Sequence, residues 1–124
     1  MASQAEKLNF AIKNIDNNTI VIHLKGDLDM YTLPVAKEKM KEVLADKIKR
    51  VIIDLENVNY IDSSGLGFFI GTLKKMREFE GELKLIKLTP YIYGIFKLIQ
   101  LHQIISIHES EDEALNAFDE PAKI

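Results

Sequence analysis

Asp62-Ser63-Ser64-Gly65-Leu66-Gly67 is the stretch of this chain whose residue types and spacing could do chemistry. A carboxylate stands directly before two hydroxyls, and glycines follow at once. Ahead of it runs Val51-Ile52-Ile53-Asp54-Leu55, the pattern of a buried strand, and behind it Leu66 to Glu80 has helical periodicity. The stretch is therefore expected to turn a strand into a helix. A helix start offers unpaired backbone N–H groups and the positive end of a dipole. Serines placed there can cap the helix or carry a phosphate.

Several familiar chemistries fail on the residues. A serine-hydrolase elbow needs glycines two places before and two after its nucleophile. Ile61 holds the leading place for Ser63, and Asp62 holds it for Ser64. No histidine is placed as a base, since His23 lies within a strand pattern and His102 and His108 flank the last one. A Walker-type phosphate loop needs a lysine after its last glycine, and none is there. Gly65, Gly67 and Gly71 imitate a dinucleotide fingerprint, but the third glycine is one place late and Phe68 and Phe69 intervene. An acidic cluster with Mg²⁺ and a phosphorylated Asp62 is a stronger rival. A receiver-type site would want a lysine where Thr89 stands. With no cysteine in the chain, disulfides, zinc–thiolate sites, iron–sulfur clusters and cysteine nucleophiles all drop out.

The elements that must position this stretch can be read in order. A chain of 124 residues, 47% of them hydrophobic, is the size of one domain with a real core. Phe10 to Ile15 and Ile20 to Leu24 read as two strands joined by the turn Asp16-Asn17-Asn18-Thr19, an antiparallel hairpin. Gly26-Asp27-Leu28-Asp29 is a loop. Thr32 with Pro34 starts a helix that carries Ala36, Met40, Val43 and Leu44 inward. Its lysines, mixed with Glu38, Glu42 and Asp46, read as a solvated face. Val51 to Leu55 is a central strand covered on both sides.

The helix after Ser63 puts Leu66, Phe69, Ile70, Leu73 and Met76 on its core face. Phe68 and Phe79 then point away from that face, beside Thr72 and Lys75. Gly67 and Gly71 lie on a flank, where each costs about 1 kcal/mol relative to alanine and close packing against a neighbour is the simplest compensation. Gly81 ends the helix, and Leu83 to Ile86 is the next strand. Thr89-Pro90 opens another helix, Ile104 to Ile107 forms the last strand, and Ser110-Glu111-Asp112-Glu113 is a capping box for the closing helix. The order predicts an α/β fold: a mixed, mostly parallel sheet opened by an antiparallel hairpin, with about four helices. One domain over residues 8–119 is expected, with flexible termini at 1–7 and 120–124.

Loops that follow parallel strands gather at one edge of the sheet. That edge would collect Asp27 and Asp29, then Tyr60, Asp62 and Ser63, then Thr89. The net charge of −3 argues against a nucleic-acid footprint, no apolar run is long enough to cross a bilayer, and the first residues lack a signal-peptide core. A cytoplasmic protein is the expectation.

Taken together, Gly26-Asp27-Leu28-Asp29, the following helix, Val51 to Glu56 and Tyr60-Ile61-Asp62-Ser63-Ser64-Gly65-Leu66-Gly67 resemble the STAS domain of bacterial anti-sigma factor antagonists. The resemblance spans nearly the whole chain. It implies a binding module rather than an enzyme, with no cofactor, monomeric when free. The unphosphorylated form would bind an anti-sigma factor that is also a serine kinase, and so release a sigma factor. Phosphorylation from ATP would break that complex and a serine phosphatase would restore it. The resemblance carries the phosphate acceptor onto Ser63 and a partner-contact aspartate onto Asp29. Asp27, Asp62, Ser64, Gly65 and Phe68 complete the expected partner-binding surface, with Gly65 keeping the turn open to the kinase and Phe68 as an apolar anchor. A different class of function, a STAS domain that senses a small ligand or serves as a subunit of a signalling or membrane-associated assembly, is the second reading.

Overall fold

The computed structural model describes residues 8–119. The proposed termini, 1–7 and 120–124, lie outside the described residues. The elements run β1 (Leu8–Asp16), β2 (Thr19–Leu28), α1 (Leu33–Leu44), β3 (Arg50–Ile61), α2 (Ser63–Arg77), β4 (Glu82–Ile86), α3 (Pro90–Leu98), a 3-10 turn (Leu101–Gln103), β5 (Ser106–His108) and α4 (Glu111–Phe118). The sheet order is β1-β2-β3-β4-β5. β1 pairs antiparallel with β2, and every later neighbour is parallel. This is the expected mixed sheet opened by a hairpin, with four α-helices among the described residues.

The hairpin turn is held by its own aspartate: the Asn18 N–H donates to Asp16 Oδ1 at 2.8 Å. That hydrogen bond favours the ionised carboxyl and lowers its pKa. Because β3 is the middle strand, Val51 to Leu55 is buried on both faces. Odd positions Val51, Ile53 and Leu55 join the larger core with α1, α2 and α3, while Ile52 joins Val21, Ile86, Ala114 and Phe118 under α4. Period-2 alternation of strand side chains makes these two cores separate. Asp54 interrupts the apolar run on the α4 face, where His23 Nδ1 lies 2.9 Å from its Oδ2 and the Glu56 N–H donates to its Oδ1. It is a satisfied strand carboxylate.

Several local expectations change. The last strand begins at Ser106 rather than Ile104, because only Ser106 to His108 pair with β4, while the N–H groups of Ile104 and Ile105 donate back to the Leu101 carbonyl of the 3-10 turn. Thr32 occupies the N-cap position of α1 but its side chain does not cap. At α4, Ser110 Oγ accepts from the Glu113 N–H at 3.1 Å as expected, but Glu113 reaches back to the Glu109 N–H rather than to that of Ser110.

The face of α2 is the largest correction. Phe68 is only 4% exposed and packs with the core, its ring edge-on to Phe69 at 5.6 Å between centroids. Thr72 is buried beside it, and Phe79 is half-buried against the core. The cause is that α2 packs on α1 as well as on the sheet, so its buried arc is wider than one stripe. Gly67 and Gly71 differ from expectation in the other sense. They are exposed, and an added Cβ at either would meet nothing within 4 Å. Close packing does not compensate them.

Candidate functional site

The site is built where β2 and β3 end side by side. Asp27 registers with Tyr60 and Leu28 with Ile61. The Asp62 N–H then donates to the Leu28 carbonyl at 3.3 Å, carrying the pairing past the strands into the turn. Asp62 is extended there (φ −104°, ψ −172°) and is the N-cap of α2. Its Oδ1 accepts from the Gly65 N–H at 3.1 Å. Its Oδ2 accepts from the Met30 N–H at 3.0 Å. One carboxylate thus ties the start of α2 to the loop between β2 and α1.

That loop has its own internal frame. Asp29 Oδ1 accepts from the N–H groups of Tyr31 (2.9 Å) and Thr32 (3.0 Å). Thr32 Oγ1 accepts from the Asp29 N–H at 3.0 Å and donates to the Asp27 carbonyl at 2.9 Å. Thr32 therefore closes the loop rather than capping the helix behind it. Asp27 and Asp29 are both half-buried. The loop expected at Gly26-Asp27-Leu28-Asp29 starts later: β2 runs to Leu28, so Asp27 is a strand residue paired with Tyr60, and Asp29 lies in the loop that the Met30 N–H ties to Asp62.

Neither serine caps α2, because Asp62 does so. Ser63 is the first helical residue and is exposed; Ser64 is half-buried. Among the described residues, no hydrogen bond engages the Ser63 hydroxyl, and none joins a histidine to either serine. The hydroxyl therefore stands at the open end of a helix dipole with no structural task.

Gly65 is present for a different reason than an open turn. It is buried, and a Cβ there would lie 2.4 Å from the Leu28 carbonyl oxygen and 2.9 Å from Ile61 Cγ2. Only glycine lets the first turn of α2 sit against the end of β2. With Gly65 and Phe68 buried, the accessible apolar surface around Ser63 comes from residues the sequence reading did not select. Met30 is 60% exposed, Tyr31 59% and Tyr60 46%. Tyr91, in the first turn of α3 behind the Thr89 cap, is 60% exposed at the same edge of the sheet. The available signal was their setting: large apolar residues at the carboxyl ends of parallel strands, Tyr60 near the end of β3 and Met30 and Tyr31 in the turn after β2. Among the described residues, no group of three or more His, Cys, Asp or Glu could hold a metal ion. No helix there is long and apolar enough to cross a membrane.

A five-stranded mixed sheet with an exposed serine at a helix start beside an aspartate-framed loop is the arrangement of a small α/β domain. The chain belongs to the STAS domain family, whose model matches residues 10–114. It is 35% identical over 106 residues to the anti-sigma-B factor antagonist of Listeria monocytogenes, covering 86% of this chain and 93% of that one. The anti-sigma-B factor antagonist of Staphylococcus aureus is 32% identical over 91 residues, covering 73% and 84%. Among solved structures, an anti-sigma factor antagonist from Mycobacterium paratuberculosis has a TM-score of 0.82 at 23% identity and covers 96% of this chain and 100% of that one. That likeness is one of fold.

Proposed function

We propose that this protein is an anti-sigma factor antagonist switched by phosphorylation of Ser63. The observation that carries the reading is the exposed Ser63 hydroxyl at the α2 N-terminus, left idle because Asp62 does the capping. The relatives named anti-sigma-B factor antagonists support the partner class. In this reading the unphosphorylated domain binds an anti-sigma factor that is also a serine kinase. Met30, Tyr31 and Tyr60 supply the apolar contacts, and Asp27, Asp29 and Asp62 with Ser64 frame the polar ones.

Phosphorylation adds about −1.5 to −2 charges. The Ser63 oxygen takes the γ-phosphoryl group of ATP, ADP leaves, and the hydroxyl proton passes to the kinase. The helix dipole and free amides of α2 tolerate the new charge within the domain. A partner docked over it does not, since it must desolvate a phosphate beside the Asp62 carboxylate. A serine phosphatase reverses the step by hydrolysis.

Ser63→Ala is expected to hold the anti-sigma factor in the presence of ATP, while Ser63→Glu binds about tenfold more weakly or worse, the effect of roughly 1.4 kcal/mol or more. Titration of each variant against candidate anti-sigma factors measures this. Equal affinity of wild type and Ser63→Glu for a partner that phosphorylates the chain would overturn the reading.

A further inference from the structure

An apolar groove of about 540 Å³ runs between α1 and α2, on the outer side of the helix layer. Met40 and Leu44 from α1 and Phe68 and Thr72 from α2, all buried, form its floor, and Gly67 and Gly71 leave its α2 edge without side chains. Both glycines sit in the interior of a helix, where glycine is a poor choice, and neither lets another element approach. The fold gives them no task. What they do is keep the groove open.

The rim is basic. Lys37 and Lys41 line it from α1 and Lys75 from α2. Glu38 and Glu42 lie about 100° further around α1 and do not line it. Among the described residues, Lys37 and Lys41 make no ion pair. Lys75 pairs with Glu78 at 3.2 Å, with both side chains more than 60% exposed, so that bond exchanges readily. The only polar side chain inside is Thr72, whose hydroxyl donates to the Phe68 carbonyl at 2.8 Å. A small molecule would find no convergent polar groups to orient it. A helix needs none. From Gly67 to Lys75 the α2 edge extends about 12 Å, a little over two turns, and Lys37 and Lys41 repeat one turn apart. That spacing matches acidic residues on successive turns of a helix laid between them.

We propose that this groove is a second docking surface, taking an acidic amphipathic helix of a protein partner. Its α2 edge begins at Gly67, one turn along the helix from Ser63, but the proposal does not depend on the phosphorylation reading.

The test uses the full chain and a synthetic helical peptide with leucines at i, i+3, i+4 and i+7 flanked by glutamates. Its twin has lysines in place of the glutamates, and vesicles of anionic phospholipid form a third arm. Binding is followed by fluorescence anisotropy and by amide shifts. The acidic peptide is expected to bind, with shifts centred on Met40, Gly67 and Gly71, and the lysine twin to bind at least tenfold more weakly. Lys37→Glu with Lys41→Glu should reverse that preference. Gly71→Leu has open space for its side chain and should reduce binding tenfold while the domain stays folded. Equal binding of the two peptides, indifference to Gly71→Leu, or shifts centred on Met30 and Tyr60 would each overturn the proposal. Binding to vesicles in place of the peptide would overturn it in favour of a lipid surface.

Discussion

Asp62 uses both oxygens of one carboxylate to do two jobs. One fixes the first turn of α2 through Gly65, and the other fixes the β2–α1 loop through Met30. A side chain without an acceptor at that place frees both amides. Asp62→Ala is expected to cost about 2 kcal/mol, near the upper end for loss of an N-cap. Asp62→Asn keeps the one carbonyl oxygen for Gly65 and should cost less. Urea unfolding of the two variants measures the difference, and equal losses would mean that the Met30 bond contributes nothing. The importance of Asp62 was legible from its position before the serines. Its second bond was not, because the partner amide lies 32 residues away in sequence.

At the scale of the element, α2 shows why periodicity alone misassigns a face. Apolar residues occur at Leu66, Phe68, Phe69 and Ile70 in near succession, so a single stripe can be drawn in more than one way. Contact with α1 chooses Phe68 and Thr72 for burial and leaves Leu66 and Ile70 half-buried. The glycines of the same helix divide similarly. Gly65 cannot accept a Cβ without displacing the Leu28 carbonyl, whereas Gly67 and Gly71 can. Gly71→Ala is expected to stabilise the domain by about 1 kcal/mol, while Gly65→Ala destabilises it by more than that through backbone displacement. Thermal unfolding of both variants checks this contrast, and stabilisation by Gly65→Ala would show that the approach to Leu28 is not tight.

For the whole molecule, the sheet and its two cores form a frame on which the Ser63 turn is an outward feature. Three helices cover one face and α4 the other, and both cores reach the central strand. A charge added at Ser63 lies outside either core, so the phosphorylated form should keep the same fold. Amide shifts on phosphorylation are expected to concentrate in residues around Met30, Ser63 and Tyr60, with β5 and α4 unmoved. Widespread shifts in α4 would mean that the switch works by rearrangement instead.

By itself the sequence determined the order of elements, the antiparallel opening, the parallel remainder and the polar turn at Ser63. These follow from local periodicity, caps and turn residues, which act over a few positions. Tertiary structure decided which side of α2 is buried, why Gly65 must be glycine, and which apolar residues remain exposed around the serine. Each of those depends on a neighbour distant in sequence: α1 against Phe68, the Leu28 carbonyl against Gly65, and the β2–α1 loop against Asp62. Packing between such segments is set by geometry that a local pattern does not contain.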